Sequence, residues 1–294
     1  MDQAQWRSIL SLIKVTSRSL PIDPRLSFAD CLIAAMFVWA VAHDRPMCWA
    51  CDRKNYPRFF RPRRLPSISQ FHRRVNSSRF HRHLQLIHDA LVRRAKLSQL
   101  FYIDGKPLPI NPISGDRDAK FGYASGLFAR GYKLHVMMNA SRKIVLWSVM
   151  SMNHDERNVA HEFIEALPAS SQRYVLMADR NYDSHKLHKH AWQRNAFLIT
   201  KPRGKARHPV TRRQMGPARR ALIDAWRRNP AAMQQIYKQR NEVERGLGVL
   251  TCTSGLLGPL PGFVRRLQRV RRWVGVKIIL YNARIGALQN AVLE

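Results

Sequence analysis

Acidic residues are scarce in this chain, and two of them stand where a carboxylate is costly. Asp104 and Asp179 each end an apolar run with the composition of a buried strand. A carboxylate inside or at the lip of a sheet needs a pairing partner or a bound cation, and open α/β sheets place their ligands at the carboxyl ends of their strands. Glu242 and Glu244 lie together on a later predicted helix. Together, the two aspartates and one glutamate could bind divalent cations, because hard cations prefer oxygen ligands.

Two Mg²⁺ or Mn²⁺ ions held about 3.5 to 4 Å apart could cut and rejoin phosphodiesters. One ion would activate water or a 3′-hydroxyl, and the other would stabilise the leaving 3′-oxygen, without a covalent enzyme intermediate. The alternative is that each acid pairs with a neighbouring arginine, since the chain has 51 Lys and Arg residues. Spacing alone leaves both interpretations open.

The charge of the chain indicates its partner. Lys and Arg outnumber Asp and Glu by 51 to 19, a formal net charge of +32, so we expect a polyanionic partner. The longest apolar run, Cys31 to Ala42, is too short to span a bilayer, and Asp2 stands where a secretion signal would be basic. Four scattered cysteines indicate a reduced compartment. We therefore expect nucleic acid as the partner, no membrane, and a cytoplasmic, nucleoid-associated location.

The first hundred residues are predicted to be helical and to bind DNA. The segment from Arg53 to Arg94 contains twelve Lys or Arg residues and one acid, interleaved with aromatic residues that could pack or stack on bases. Ser67 or Ser69 would cap a short helix in which Phe71 to Val75 could recognise DNA. Arg73 and Arg74 are the candidate DNA contacts there. The alternative is an ordinary helical domain with a solvated basic face.

From Leu100 the pattern changes to strands and helices. Three strands, the last two joined by a hairpin turn, precede alternating helices and strands, and this order suits a mixed α/β sheet of the RNase H type flanked by helices, although other α/β folds share it. We expect a small all-helical domain over residues 1–98 and a catalytic domain over 99–294. The latter would include a basic insertion at about 201–228, with Lys201 and Arg203 as DNA contacts, and a basic C-terminal helix.

Four motifs resemble those of the insertion-sequence DDE transposases, which have an RNase H-like catalytic domain. The segment 237–244 is similar to their signature of Tyr, two residues, Arg, three residues and Glu. The segments 104–109 and 178–184 resemble those that carry the two aspartates, and 131–135 resembles the strand that follows the first. The resemblance covers about Leu100 to Leu288.

This resemblance implies roles for particular residues. Asp104, Asp179 and Glu244, rather than Glu242, would hold two Mg²⁺ or Mn²⁺ ions. Tyr237 and Arg240 would hold phosphates of the transposon end, from positions about two turns and one turn before Glu244 on the same helix face.

The resemblance also implies a partner and an assembly. The substrate would be double-stranded DNA, namely the terminal inverted repeats and the target, and a homodimer would pair two ends.

Two positions depart from the family pattern. Thr251 occupies the position of a lysine that normally follows the glutamate by seven residues, and Asn181 stands where glycine is common. Thr251 favours an alternative, a noncatalytic DNA-binding protein descended from a transposase. A nuclease of the same fold that cuts without joining is a further alternative.

Overall fold

The computed structural model describes residues 3–93, 95–124, 126–203, 215–253 and 256–293. The chain divides into two compact units, one formed by Met1–Arg93 with Leu250–Glu294 and the other by Arg94–Val249. In chain order the α-helices are α1 Gln3–Ser17, α2 Asp30–Ala42, α3 Ile68–Val75, α4 Ser78–Val92, α5 Glu156–Glu165, α6 His185–Gln193, α7 Pro217–Arg228, α8 Pro230–Tyr237, α9 Asn241–Cys252 and α10 Leu267–Leu293. The strands are β1 Leu100–Pro109, β2 Lys120–Ala124, β3 Leu127–Asn139, β4 Ile144–Ser151, β5 Tyr174–Ala178 and β6 Ala196–Ile199.

The first unit is helical, as predicted for the N-terminal part. Helix α2 is apolar on all sides, with an unbroken buried run over residues 33–41, so it forms the centre of the unit. Helices α1, α4 and α10 pack around it. The C-terminal helix was expected in the catalytic domain, but its buried residues 273–281 contribute to this helical core instead.

The basic segment of this unit uses its aromatic residues for packing. Tyr56, Phe71 and Phe80 are buried, which decides between the packing and stacking roles left open by the sequence. Ser67 forms the predicted cap of α3, since its hydroxyl accepts a hydrogen bond from the backbone N–H of Gln70 and its own backbone N–H donates to the side-chain oxygen of Gln70. Such a reciprocal cap satisfies two orphan donors of the first helical turn.

The second unit contains a mixed six-stranded sheet in the order β2-β3-β1-β5-β6, with β4 also paired to β3. Strand β1 is antiparallel to β3 and parallel to β5, and β5 is parallel to β6. Apart from β2, this is the strand order of an RNase H-like sheet. The mixed α/β fold with a preceding helical region is therefore confirmed.

The structure adds a hairpin to the predicted strands. Strand β3 begins at Leu127, before the 131–135 segment that the resemblance places on a strand, and this added part pairs with β2. The hairpin was missed because several of its apolar side chains point to solvent. Phe128, for example, is 69% exposed, so the segment lacks the burial alternation by which strands are usually recognised.

One predicted helix is broken. The resemblance placed Tyr237, Arg240 and Glu244 on one helix, but α8 ends at Tyr237, a 3₁₀ turn covers Lys238–Arg240, and α9 begins at Asn241. Tyr237 and Arg240 therefore do not lie on one continuous α-helix with Glu244, and that part of the prediction was wrong. A 3₁₀ segment between two α-helices shifts the direction of the side chains on it.

None of the helices in the described ranges is long and apolar enough to cross a membrane. The predicted basic insertion at about 201–228 is described only at residues 201–203 and 215–228, and the remainder of that prediction lies outside the described residues.

Gly131 fixes how closely β3 approaches β1. A Cβ at this position would overlap the carbonyl oxygen of Leu108 and lie 2.9 Å from the Cα of Pro109. Only glycine allows this approach. Because β1 carries Asp104, this close approach contributes to the position of the candidate site. It also gives a physical reason why the 131–135 motif begins with glycine.

We expect Gly131→Ala to lower the free energy of unfolding by about 1 to 3 kcal/mol, because the added methyl group must displace backbone atoms of β1. Urea unfolding measures the loss. Gly115→Ala is the matched control, since no heavy atom lies within 4 Å of its added Cβ. Equal stability of the two variants would contradict the close approach.

Candidate active site

The two aspartates lie side by side where the parallel pairing of β1 and β5 ends. Asp179 directly follows β5, whereas Asp104 lies inside β1, which continues to Pro109. Ile103 of β1 is in register with Ala178 of β5, so the residues that follow, Asp104 and Asp179, are neighbours across the strand pair. Parallel strands lie about 4.8 Å apart, which is within the reach of carboxylates that share a cation. The expected meeting of the two aspartates is therefore a consequence of strand register.

Burial makes Asp104 reluctant to ionise. Desolvation raises its pKa to about 6, and the negative charges of Asp179 and Glu244 add to this shift. The backbone N–H of Gly105, which donates to Oδ1 at 2.8 Å, and the guanidinium of Arg240 oppose it. The carboxylate is thus held at a cost that a bound cation would offset.

Asp179 is held by the turn that it begins. It caps a short 3₁₀ helix over Arg180–Tyr182, and its Oδ1 accepts a hydrogen bond from the backbone N–H of Asn181 at 2.7 Å. Burial raises its pKa, and the nearby Glu156 raises it further. The second aspartate therefore shares the environment of the first.

Arg240 lies between two of the candidate ligands. Its guanidinium contacts Asp104 Oδ2 at 3.8 Å and forms a close ion pair with Glu244 on the other side. Its side chain is 15% exposed, and its Nε is buried without a hydrogen-bond partner among the described residues. The arginine thus supplies positive charge where the acids converge and keeps one donor unused.

Tyr237 supports this arginine. Its ring centroid lies 5.7 Å from the guanidinium carbon of Arg240, and its hydroxyl donates to the carbonyl oxygen of Ala178 at 3.3 Å. That hydroxyl is therefore anchored to the end of β5, next to Asp179. Despite the break in the helix, Arg240 of the 237–244 signature thus contacts Asp104, and Tyr237 is anchored to the residue before Asp179.

Glu242 and Glu244 have different surroundings. Glu242 accepts from Arg142 at 3.0 Å and forms an ion pair with Arg245. Glu244 is paired with Arg240 and its side chain is 53% exposed. Glu244 is thus the acid of this pair whose charge is felt by Asp104, whereas Glu242 is held between two other arginines.

Glu156 is a site residue that sequence reasoning missed. As the first residue of α5 it has the appearance of a simple helix N-terminal acid, but a Cβ at Gly105 would lie 3.7 Å from its carboxyl group. Lys133 donates to Glu156 Oε1 at 2.5 Å. The available signal was Lys133, a lysine in an otherwise buried strand, because such a cation requires an anion.

Asp183 anchors the segment that carries Asp179. It is buried and accepts two hydrogen bonds from Arg219, both at 2.8 Å, together with one from the backbone N–H of Arg203 at 2.9 Å. Burial alone would raise the pKa of Asp183, but His188 and these donors hold it well below its usual range.

The predicted DNA contacts have different surroundings. Arg73 and Lys201 are exposed. Arg74 forms an ion pair with Asp30 at 2.6 Å in the helical unit. The Arg203 side chain donates to the carbonyl oxygen of Arg180 at 3.0 Å and thereby holds the turn after Asp179. Arg73 and Lys201 thus have side chains open to solvent, whereas Arg74 and Arg203 make contacts within the protein.

The acids of this site fit a divalent cation in their chemistry. Asp104 and Glu244 already share one positive group, the Arg240 guanidinium, and all the candidate ligands are carboxylates, which suit Mg²⁺ and Mn²⁺. In the ranges that the structure describes, no three acids, histidines or cysteines are yet close enough to surround one ion. Binding would therefore require Glu244 to leave Arg240.

Comparison of the sequence and the fold with known proteins identifies the family of the chain. The family model of the transposase DDE domain matches residues 95–282. The piggyBac transposase, solved by cryo-EM in a synaptic complex with hairpin DNA, is similar at a TM-score of 0.48 and 13% identity, covering 95% of this chain and 72% of that one. At that TM-score the likeness is too low to assign a function. No curated protein matches the sequence.

The raised pKa of Asp104 predicts a stability cost near neutral pH. A group whose pKa rises from 3.8 to about 6 on folding stabilises the fold fully below about pH 4 and loses that contribution as the pH rises through about 6. In metal-free buffer, Asp104→Asn should therefore raise the free energy of unfolding at neutral pH by up to about 3 kcal/mol. It should also flatten the pH dependence between pH 4 and 6, as measured by urea unfolding.

Asp155→Asn is the matched control. Asp155 caps α5, and its hydrogen bond with Arg157 lowers its pKa, so the neutral variant should gain no stability. An Asp104→Asn protein that is no more stable than wild type at neutral pH would contradict the account of a strained carboxylate.

Proposed function

We propose that this chain, which belongs to the transposase DDE-domain family through its match over residues 95–282, cuts DNA at insertion-sequence ends and joins them to a target. The observation that carries this proposal is the pair of half-buried aspartates, Asp104 and Asp179, that directly follow the last paired residues of two parallel strands. Asp104, Asp179 and Glu244 would act as the metal ligands.

Bound Mg²⁺ or Mn²⁺, as two ions, would supply the Lewis acidity that activates a water or 3′-hydroxyl and stabilises the leaving oxygen. The protein has to provide three ionised carboxylates. Because the pKa of Asp104 is about 6, this aspartate is mostly ionised at neutral pH and becomes protonated below it. We therefore infer that metal binding weakens as the pH falls through this value.

Arg240 and Tyr237 would hold the DNA backbone. The buried Nε of Arg240 has no partner in the described part of the chain, and a phosphate oxygen is the acceptor that a guanidinium best fits. Release of Glu244 to the metal would free further donors on the same arginine. DNA binding and completion of the ligand set would then favour each other.

The proposed partner is double-stranded DNA, as the terminal repeats and the target. The net charge of +32 supports a polyanionic ligand, and Arg73 and Lys201 are exposed for phosphate contact. A homodimer would allow two ends to be cut and joined together. The cytoplasm, with the nucleoid, is where such a substrate would be met.

We expect Asp104→Asn, Asp179→Asn and Glu244→Gln each to reduce cleavage and joining of a labelled DNA carrying the element's ends by at least about a hundredfold, because loss of one metal ligand removes transition-state stabilisation. Binding of the same DNA in EDTA should be retained. Gel analysis of products with Mg²⁺ or Mn²⁺ separates cleaved from joined DNA.

Glu242→Gln is the matched control. It removes a carboxylate two residues from Glu244 that is held by Arg142 and Arg245, and it should keep most of the activity. Cleavage without joining by the wild type would favour the nuclease. A wild type that binds the ends but never cuts them would favour the noncatalytic DNA-binding protein, the alternative that Thr251 raises.

A further inference from the structure

The β2–β3 hairpin presents a row of exposed aromatic rings. Phe121, Tyr123 and Phe128 are 49%, 70% and 69% exposed. Tyr123 is paired with Phe128, and Phe121 lies two residues from Tyr123, so all three side chains share one face of the hairpin. The rings of Phe121 and Phe128 are nearly parallel, at 8°, with centroids 5.9 Å apart. Exposed aromatic clusters of this kind mark binding surfaces.

The hairpin is rigid at its base. The guanidinium of Arg130 donates to the carbonyl oxygens of Ser114 and Asp116, both at 2.5 Å, and the hydroxyl of Tyr132 donates to Asp116 Oδ2 at 2.6 Å. On the opposite face, a Cβ at Gly122 would lie 2.5 Å from the carbonyl oxygen of Met152. The aromatic face is therefore held in place by hydrogen bonds and close backbone packing.

The aromatic face continues the face of the sheet that carries Asp104. Asp104 and Leu108 lie on one side of β1, and Leu108 is in register with Tyr132 on β3. Phe128, Arg130 and Tyr132 are every second residue of β3, so their side chains lie on the same side of the strand. Arg130 is paired with Phe121 of β2. At about 3.3 Å per residue, Phe121 lies roughly 20 Å from Asp104 along the strands, or about six base steps of DNA.

The charges around the row suit a nucleic acid. Arg117 and Lys120 precede and begin β2, and both are exposed, whereas Asp116 is buried and Asp118, between the two cations, is half-buried. An aromatic face flanked by cations is the arrangement on which unpaired bases stack while the backbone is held by charge. Bases inside a duplex are already stacked on each other and have no free face to offer.

We propose that the aromatic face formed by Phe121, Tyr123 and Phe128 binds unpaired DNA bases by stacking, about 20 Å from the carboxylate pair. This inference rests on the proposed DNA substrate and extends it to a single-stranded or locally unpaired segment. A second copy of the chain is the competing occupant, and the experiment below separates the two.

The test measures the affinity of the full-length protein for two probes in EDTA by fluorescence anisotropy, a short labelled oligothymidylate and a blunt duplex. Replacing all three aromatic residues with alanine should weaken oligothymidylate binding by about tenfold or more and leave duplex binding within about twofold. The salt dependence of oligothymidylate binding should keep its slope, because no phosphate contact is removed.

Phe128→Ala and Leu127→Ala form a matched pair, since the two side chains are adjacent, 69% and 74% exposed, and on opposite faces of the hairpin. Only Phe128→Ala should weaken oligothymidylate binding, and Phe128→Tyr should restore it. Equal effects of the matched pair, or none, would overturn the inference. The inference would also be overturned if sedimentation showed that the wild type is a dimer and that Phe128→Ala is a monomer with unchanged affinity for oligothymidylate.

The proposed function and this inference fail in different ways. A wild type that binds neither probe would remove the DNA substrate itself. If the wild type binds the duplex, but the wild type and the triple variant bind oligothymidylate equally tightly, only the stacking surface is rejected. The proposed transposase function would then still stand.

Discussion

Two carboxylates that are partly withdrawn from water and placed side by side repel each other, and the second unit, Arg94–Val249, has to hold them there. Asp104 and Asp179 are brought together by the register of β1 and β5, and burial raises the pKa of both. A fold selected for stability alone would not keep this pair. Arg240 offsets part of the cost through its contacts with Asp104 and Glu244.

The surrounding elements can be understood as supports for this pair. Gly131 lets β3 approach β1 closely, and this approach fixes the position of β1, the strand that carries Asp104. Asp183 and Arg219 pin the segment after Asp179. The 3₁₀ turn over Lys238–Arg240 lets Arg240 reach Asp104 and Glu244 together. Each support acts on backbone position, because ligands must be placed to within a fraction of an ångström.

The sequence predicted the parts of this arrangement that local pattern controls. Apolar runs ending in Asp104 and Asp179 predicted two strands that bring the aspartates together. Strand β5 ends directly before Asp179 as expected, but β1 continues past Asp104 to Pro109, so the expected strand end at Asp104 was wrong. The β2–β3 hairpin was missed because side chains such as Phe128 face solvent, and Glu156 was missed because its partner, Lys133, lies 23 residues away in sequence. The helix break at Lys238–Arg240 was missed because the apolar pattern runs on through it, whereas in the structure Arg240 of this turn contacts Asp104, which lies far away in sequence.

The most direct test of the central claim is the affinity of the metal-free protein for Mn²⁺, measured by electron paramagnetic resonance without DNA. We expect Asp104→Asn to weaken binding by at least about tenfold and Glu242→Gln to leave it unchanged, because Asp104 but not Glu242 faces the proposed ion. Arg240→Gln should strengthen binding, since its guanidinium competes with the ion for Asp104 and Glu244. Equal affinities of wild type and Asp104→Asn would contradict the account.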